Sequence, residues 1–157
     1  MTAEQLFKLA LGVQFFSTFA MTGLIYLVQF VHYPLFDRVE ASRFAQFERD
    51  HSNWITFIVL PLMLAELTSA AYLMLSRMGQ PDRTLWAIGL GLVLMLWLST
   101  FFLSVPQHTR LMDGFDPTAH RRLVVTNWPR TVLWTLRSGL LLYAMATLLI
   151  VRPPVAN

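Results

Sequence analysis

Polar side chains recur at helical spacing in the last long apolar stretch of the chain. Asn127, Arg130 and Arg137 fall on one face of the predicted helix, because three- and four-residue steps return to the same side of an α-helix. Ionisable groups are costly in lipid, so at membrane depth they usually face a bundle interior or a wet cavity. There they could orient a polar oxygen of a bound molecule. The whole stripe is His120, Leu123, Asn127, Arg130, Trp134, Arg137 and Leu141.

Four histidines could supply acid–base groups or metal ligands, and the predicted topology places all of them at one end of the bundle. Imidazole and carboxylate are the ligands that bind transition metals where no thiolate is present, and the chain has no cysteine. A transition-metal site is therefore one possible interpretation, with His32 and His108 as its ligands. Haem is not expected, because the histidines do not lie at mid-depth. The four residues are His32, His51, His108 and His120.

Glu66 is the only acid within the apolar segments, and it needs a partner. It lies twelve residues after Trp54, which places it roughly 18 Å along its helix, near mid-membrane. Arg130 and Arg137 are the available cations. The interpretations left open are a structural ion pair, a proton relay, a substrate anchor and a neutral Glu66 without a specific partner. Two tryptophans on the polar stripes could wall a pocket. The candidate cofactor-binding residues are Glu66, Trp97, Trp134 and Arg137.

The elements that would position these groups are four apolar helices. The chain has 157 residues, 55% of them hydrophobic and 13% charged, with a mean hydropathy of +0.52. Each apolar block reaches the roughly 20 residues that span a bilayer. We predict an all-α, integral membrane, up-down four-helix bundle that forms a single domain over 1–157. The predicted helices cover about 4–33, 53–76, 84–107 and 117–151.

The segment between the first two helices mixes charged and apolar residues. This pattern predicts a short amphipathic helix over 35–52 that lies at the membrane surface. The sequence Asp50-His51-Ser52-Asn53 then predicts the N-cap of the second membrane helix.

The charge pattern favours the lipid bilayer as the main partner. Eleven of the 12 cationic residues are arginines, and most of them fall in loops and at helix ends, where they meet lipid phosphates. No basic run or stacking platform indicates nucleic-acid binding. A lipophilic small molecule and a second copy of the chain are the other partners we consider.

Part of the chain resembles small bacterial four-helix membrane proteins and, distantly, the anthrone oxygenase-like family. The resemblance covers about a third of the chain. It rests on Ser104-Val-Pro-Gln-His108, Gly114-Phe-Asp116, the run from His120 to Arg130, Trp134-Thr-Leu-Arg137 and Val31-His32-Tyr-Pro34. It implies a four-helix membrane bundle and oxidation of a hydrophobic aromatic. The pocket residues that it implies are His32, His108, Asn127, Arg130, Trp134 and Arg137. We predict a multi-pass protein of the cell membrane, in particular the bacterial inner membrane.

Two functions follow as alternatives. The first is a membrane oxidoreductase that acts on a lipophilic substrate, with or without a histidine-ligated metal. It requires a cavity with polar walls that opens at the histidine end. The second is a non-catalytic membrane module, or a subunit of a complex, with a structural Glu–Arg core. The candidate catalytic residues of the first are His32, His108, His120, Asn127 and Arg130.

Overall fold

The computed structural model describes the backbone of residues 1–151 and the side chains of residues 1–148. The last six residues of the predicted domain, 152–157, lie outside the described residues. A π-helical turn, Val28–His32, and a 3-10 segment, Tyr33–Arg38, extend the first helix, and a second π turn, Thr100–Ser104, joins the third to the fourth. The α-helices are α1 Ala3–Leu27, α2 Ala41–Ser76, α3 Arg83–Ser99, α4 Val105–Leu111 and α5 Pro117–Val151.

Within the described residues, four helical segments are long and apolar enough to cross a membrane, as in a multi-pass membrane protein. They contain 36, 36, 29 and 32 residues, against the roughly 20 that a bilayer requires. α1 packs on α2 and α5, and α3 packs on the same two helices, so the four long segments form a ring in the order α1, α2, α3, α5. This confirms the predicted all-α four-helix bundle. The segments are Ala3–Arg38, Ala41–Ser76, Arg83–Leu111 and Pro117–Leu148.

The inner faces of the helices form three layers of buried side chains. One layer, around Phe36 and Phe44, lies at the histidine end. A second, around Met21 and Trp134, lies at mid-depth, and a third, around Trp86, lies at the other end. The stripe predicted on the last helix is buried from Leu123 to Leu141. Aromatic and aliphatic layers therefore enclose the polar residues from above and below.

The predicted surface helix between the first two membrane helices is not a separate element. Residues 41–52 form the first three turns of α2, which runs without interruption to Ser76. Side-chain hydrogen bonds along the helix, such as Gln46 Nε2 to Asp50 Oδ1 at 2.9 Å, replace the predicted N-cap. No glycine or proline lies between 41 and 60, so nothing in this stretch breaks the helix.

Both π turns lie just before a proline. Val28–His32 comes two residues before Pro34, and Thr100–Ser104 comes two residues before Pro106. Proline has no N–H, and its ring collides with the carbonyl four residues earlier in an α-helix. The wider turn, with its hydrogen bond to the fifth residue back, gives the chain room to continue.

The extra residue in each π turn changes which side chains face inward. It rotates everything that follows by about 100° relative to an unbroken α-helix. Tyr33 lies directly after the first turn and is buried. His108 lies four residues after the second turn and contacts Tyr33. The two π turns therefore bring together residues that would point apart on ideal helices.

The end of the bundle opposite the histidines is closed by a compact turn. Arg77 Nη2 lies 2.6 Å from Asp82 Oδ2, and the Trp86 indole N–H donates to the same oxygen at 3.1 Å. Burial opposes ionisation of Asp82, but the hydrogen bonds from Arg77 and Trp86 outweigh it and hold the pKa of this carboxyl below its ordinary value of 3.8. The ionised carboxylate therefore stabilises the turn.

We expect Asp82→Asn to lower the free energy of unfolding by under about 1 kcal/mol at pH 7, because the pair is partly exposed. The lowered pKa of Asp82 means that this contribution is fully present above pH 3.8 and is lost as the pH falls through the lower, folded-state value. Unfolding by SDS in detergent micelles, measured at pH 7 and pH 3, checks this. A cost that is equal at both pH values would contradict it.

Candidate functional site

Buried polar side chains form two separate clusters. The central cluster lies at mid-depth and is built on Glu66 and Arg137. The histidine-end cluster lies nearer the surface and is built on Glu48, Tyr33, His108 and Arg130. The two differ in how completely their polar atoms are paired, and this difference indicates what each can do.

The central cluster joins all four long segments through one ion pair. Arg137 Nε lies 2.8 Å from Glu66 Oε1, and both side chains are almost fully buried. α2 and α5 are diagonal in the helix ring, so the arginine crosses the bundle centre. It also donates to the carbonyl of Gly89 on α3. The sequence left Arg130 and Arg137 open as partners of Glu66, and the structure selects Arg137.

The remaining polar atoms of this cluster are also paired. Thr18 on α1 donates to Glu66 Oε1 at 2.7 Å, and the Trp134 indole N–H donates to Oε2 at 3.1 Å. Gln14 donates to Thr18 and accepts from Ser69, each at 2.9 Å. A buried ion pair whose remaining polar atoms are hydrogen-bonded is costly to break, but it leaves few free donors or acceptors for a ligand.

We expect Arg137→Met to lower the free energy of unfolding by about 3–5 kcal/mol, because it leaves the Glu66 carboxylate buried without a cation. Glu66→Gln combined with Arg137→Met should recover part of that loss, since no buried charge remains. SDS unfolding of the two single variants and the double variant measures the coupling. Thr68→Ala, at an exposed site on the same helix as Glu66, is the matched control.

A double variant that loses as much as the sum of the two single variants would contradict a direct ion pair at this site. A single variant as stable as the native chain would contradict the burial of the pair.

The histidine-end cluster contains a line of three side chains, Glu48, His108 and Tyr33. His108 Nδ1 lies 2.5 Å from Glu48 Oε1, and its Nε2 lies 2.9 Å from the Tyr33 hydroxyl. If Nδ1–H donates to the carboxylate, Nε2 accepts from the phenol. Arg130 Nη2 donates to the same phenol oxygen at 3.2 Å. The Tyr33 hydroxyl therefore has a base on one side and a cation on the other.

Two amides hold Arg130 in place. Its Nη2 also donates to Asn127 Oδ1, and Asn127 Nδ2 donates to Gln29 Oε1 at 2.8 Å. Gln29 donates in turn to the carbonyl of Val124 at 3.3 Å. Asn127 is completely buried, so this series of hydrogen bonds holds the Arg130 guanidinium in a fixed position.

The rings of the other three histidines surround Phe36 within the histidine-end cluster. His32 Nε2 and His51 Nδ1 share a hydrogen bond of 2.9 Å, and His120 Nε2 donates to the carbonyl of Tyr33 at 2.8 Å. All three rings contact Phe36, which is fully buried. His120 therefore fixes the backbone that carries the Tyr33 phenol.

The histidines are not arranged as a metal site. Within the described side chains, no group of three or more histidine, aspartate or glutamate residues is placed to hold a metal ion. His32 pairs with His51, and His108 pairs with Glu48 and Tyr33, so the two predicted ligands do not face a common point. The geometry does not support the predicted metal site at His32 and His108.

A cavity of about 280 Å³ lies directly beside the Glu48–His108–Tyr33 line. Its walls are mostly aliphatic and aromatic, and Tyr33, His108 and Arg130 form its polar end. The oxidoreductase hypothesis, drawn from the sequence, requires a cavity of this kind at the histidine end. An apolar chamber with a few convergent polar groups is the usual form of a small-molecule site.

The structure divides the sequence-predicted site residues into three groups. His108, Arg130, Trp97 and Trp134 line the cavity. Glu66 and Arg137 form the central cluster and do not line it. His120 and Asn127 hydrogen-bond to the lining residues Tyr33 and Arg130 without lining the cavity themselves, and His32 pairs with His51. The roles predicted for them in catalysis and cofactor binding stay predictions.

Several polar atoms in and around the cavity wall have no hydrogen-bond partner within the described residues. Trp97 Nε1, Ser104 Oγ and Arg130 Nε belong to lining residues and are buried. Glu48 Oε2 and His51 Nε2 belong to residues that contact His108 but do not line the cavity. A buried polar atom without a partner costs about 1–3 kcal/mol, so each of these atoms needs a partner that a water, an ion or a bound molecule can supply.

Sequence reasoning missed Tyr33 and Glu48. The sequence predicts an amphipathic helix at the membrane surface around Glu48, yet Glu48 lies 18 residues before Glu66, which is five full turns of an unbroken helix. That spacing places both acids on one face. Glu48-Arg-Asp-His51 also has the Glu-x-x-His spacing, which puts the two side chains on neighbouring turns. Tyr33 gave no such signal, because its position depends on the preceding π turn.

No family model, curated protein sequence or solved structure matches this chain. The functional argument therefore rests on the geometry of the two clusters and the cavity.

Proposed function

We propose that this chain is a multi-pass membrane protein that binds a small lipophilic molecule in the cavity and moves a proton to or from it. The observation that carries the proposal is the apolar cavity, which ends at a phenol held between an imidazole and a guanidinium. The proposed substrate has an apolar ring system and one oxygen that can take or release charge.

Binding would use the unpartnered donors of the wall. Trp97 Nε1 and Ser104 Oγ belong to residues that line the cavity; both atoms are buried and have no hydrogen-bond partner among the described residues. A ligand oxygen that reaches them supplies an acceptor, and the apolar walls bury its ring system. The hydrogen bonds fix the orientation and the apolar contacts provide most of the affinity.

Proton transfer would use Tyr33 and His108. The imidazole takes a proton through the phenol, the Arg130 guanidinium stabilises negative charge on the phenol or substrate oxygen, and Glu48 orients the imidazole. His120 and Asn127 are positioning residues, because they hold Tyr33 and Arg130. The resemblance to the anthrone oxygenase-like family implies oxidation of an aromatic substrate, and molecular oxygen would then have to accept the electrons of the deprotonated molecule.

Trp97→Phe and Ser104→Ala test the binding step. Each removes a donor without a partner, so the free energy of unfolding should stay unchanged or rise. The dissociation constant of 1-naphthol should rise about tenfold, which corresponds to one lost hydrogen bond of about 1.4 kcal/mol. Naphthalene, which has no oxygen, should bind equally to all variants. Fluorescence titration in phosphatidylcholine nanodiscs measures both compounds.

Trp128→Phe, at an exposed position, is the matched control for the loss of an indole. Equal affinity of native and variant chains for 1-naphthol would contradict the assignment of these donors to a ligand.

Tyr33→Phe tests the proton-transfer step. It removes only the hydroxyl between His108 and Arg130, so exchange of the acidic C–H protons of anthrone with deuterium should slow by about 100-fold or more. Affinity for anthrone should change far less, because the ring stays. Proton NMR in deuterated micelles gives the exchange rate. Glu48→Gln should show an intermediate loss, since it weakens the orientation of the imidazole.

Tyr26→Phe, which removes a hydroxyl at an exposed site, is the control. An exchange rate in Tyr33→Phe equal to that of the native chain would contradict an acid–base role.

The second candidate is a non-catalytic module of the bilayer or of a larger complex. It is favoured by the central cluster, whose Glu66–Arg137 ion pair is hydrogen-bonded to Thr18 and Trp134 and does not itself line the cavity. In that case variants of Glu66 or Arg137 would abolish function by destabilising the fold, and Tyr33→Phe or Ser104→Ala would leave function intact.

The partners that we propose for this chain are lipid and a lipophilic small molecule, with no nucleic acid. Self-association with a second copy of the chain is measured by light scattering in detergent. The proposed location is a bacterial inner membrane.

A further inference from the structure

The cavity is closed where α1 and α5 form its wall, and it is open where α2 faces the segment that ends with α4. Its lining residues on α1 and α5, such as Met21 and Trp134, are buried or half-buried. The exposed lining residues all belong to α2 or to the segment from the second π turn to the end of α4. They are Thr56, Leu60, Phe101, Val105 and Thr109. The cavity therefore opens sideways between α2 and this segment, and we name this gap the lateral opening.

The lateral opening is bounded at both ends. Toward the surface, Arg49 on α2 donates to the carbonyl of Met112 at 2.7 Å and bridges α2 to the end of α4. Toward the bundle centre, Met63 and Leu96 are buried in one packing cluster and join α2 to α3. The opening is therefore a window in the side of the bundle, separate from its aqueous end.

The rim of the lateral opening is apolar. Leu60, Phe101 and Val105 are 43%, 54% and 44% exposed. The hydroxyls of the two threonines at the rim are occupied, since Thr56 donates to the carbonyl of Ser52 at 2.6 Å and Thr109 to that of Val105 at 3.1 Å. The rim therefore presents exposed hydrocarbon, and the hydroxyls of its two threonines are already hydrogen-bonded. Such a surface suits contact with lipid acyl chains better than contact with water.

We infer that the cavity is filled from within the bilayer, through the lateral opening, by a small membrane-dissolved amphiphile whose polar end enters first. This inference rests on the proposed function, because it names the route and the class of its ligand. The polar end comes to rest among the polar groups of the cavity wall, which include Tyr33, His108 and Arg130 as well as Trp97 and Ser104. A volume of about 280 Å³ is at the lower end of the roughly 300–1,000 Å³ of drug-sized sites, which suits one ring system and excludes a two-chain lipid.

A thiol at the rim tests the route, because the native chain has no cysteine. The Leu60→Cys variant is labelled with a bulky maleimide in phosphatidylcholine vesicles, and binding of 1-naphthol is followed by stopped-flow fluorescence. Association and release should both slow by about tenfold or more relative to the unlabelled Leu60→Cys variant, because the label blocks the path into the cavity. Leu64→Cys is the matched control: it is 45% exposed, lies one turn further along α2 and does not line the cavity.

A second variant measures access without any ligand. Ser104→Cys places a thiol in the buried wall of the cavity. A lipid-soluble maleimide should modify it, a charged water-soluble maleimide should not, and adding Leu60→Trp should block the reaction. Faster modification by the charged reagent would overturn the inference, since it would place the opening in water.

The two failures can be told apart. If the native chain binds 1-naphthol, and labels on the Leu60→Cys and Leu64→Cys variants slow binding equally or not at all, the lateral route is wrong and the proposed function stands. If the Ser104→Cys variant reacts as expected but the native chain does not bind 1-naphthol, the route is supported and the proposed function fails for this ligand class.

Discussion

The Glu66–Arg137 ion pair lies between two diagonal helices at the centre of the bundle, and the arrangement of the other helices follows from it. A single charge at this depth would be too costly to keep, so both residues must reach the centre at the same height. Their further hydrogen bonds, to Thr18 on α1 and to the Gly89 carbonyl on α3, then fix the height of the remaining two helices. Apolar packing alone would allow neighbouring helices to slide, because lipid competes equally for their surfaces. The polar centre thus sets the register on which the histidine end is built.

The two clusters use their polar groups differently. In the central cluster the carboxylate, guanidinium, amide and hydroxyl groups satisfy one another, which suits a structural role. The histidine-end cluster keeps several buried atoms without a partner among the described residues, including Glu48 Oε2 and Arg130 Nε. Proteins retain such costly arrangements mainly where another molecule or a proton completes them. The contrast within one bundle separates the part that holds the fold from the part that is available for chemistry.

Much of this architecture could be predicted because helical spacing and membrane depth are simple geometry. The stripe on α5 and the pairing depth of Glu66 and Arg137 follow from about 1.5 Å per residue and about 3.6 residues per turn. Tyr33 and Glu48 could not be found in this way. The π turn before Tyr33 breaks the helical period, and the continuity of α2 across residues 50–53 conflicts with a sequence that resembles an N-cap. The shape of the cavity also escaped prediction, because it arises from how four helices fit together and not from any one of them.

The π turns have a consequence for how relatives of this chain would be recognised. Each turn is one residue longer than the α-helical path, so a relative without the extra residue in Thr100–Ser104 would align here only with a one-residue gap. In that relative the residue equivalent to His108 would be rotated by about 100° and could not meet the phenol of Tyr33. Gap placement next to Pro34 and Pro106 would therefore distinguish chains that keep the site from chains that share only the bundle, even where both retain the histidine.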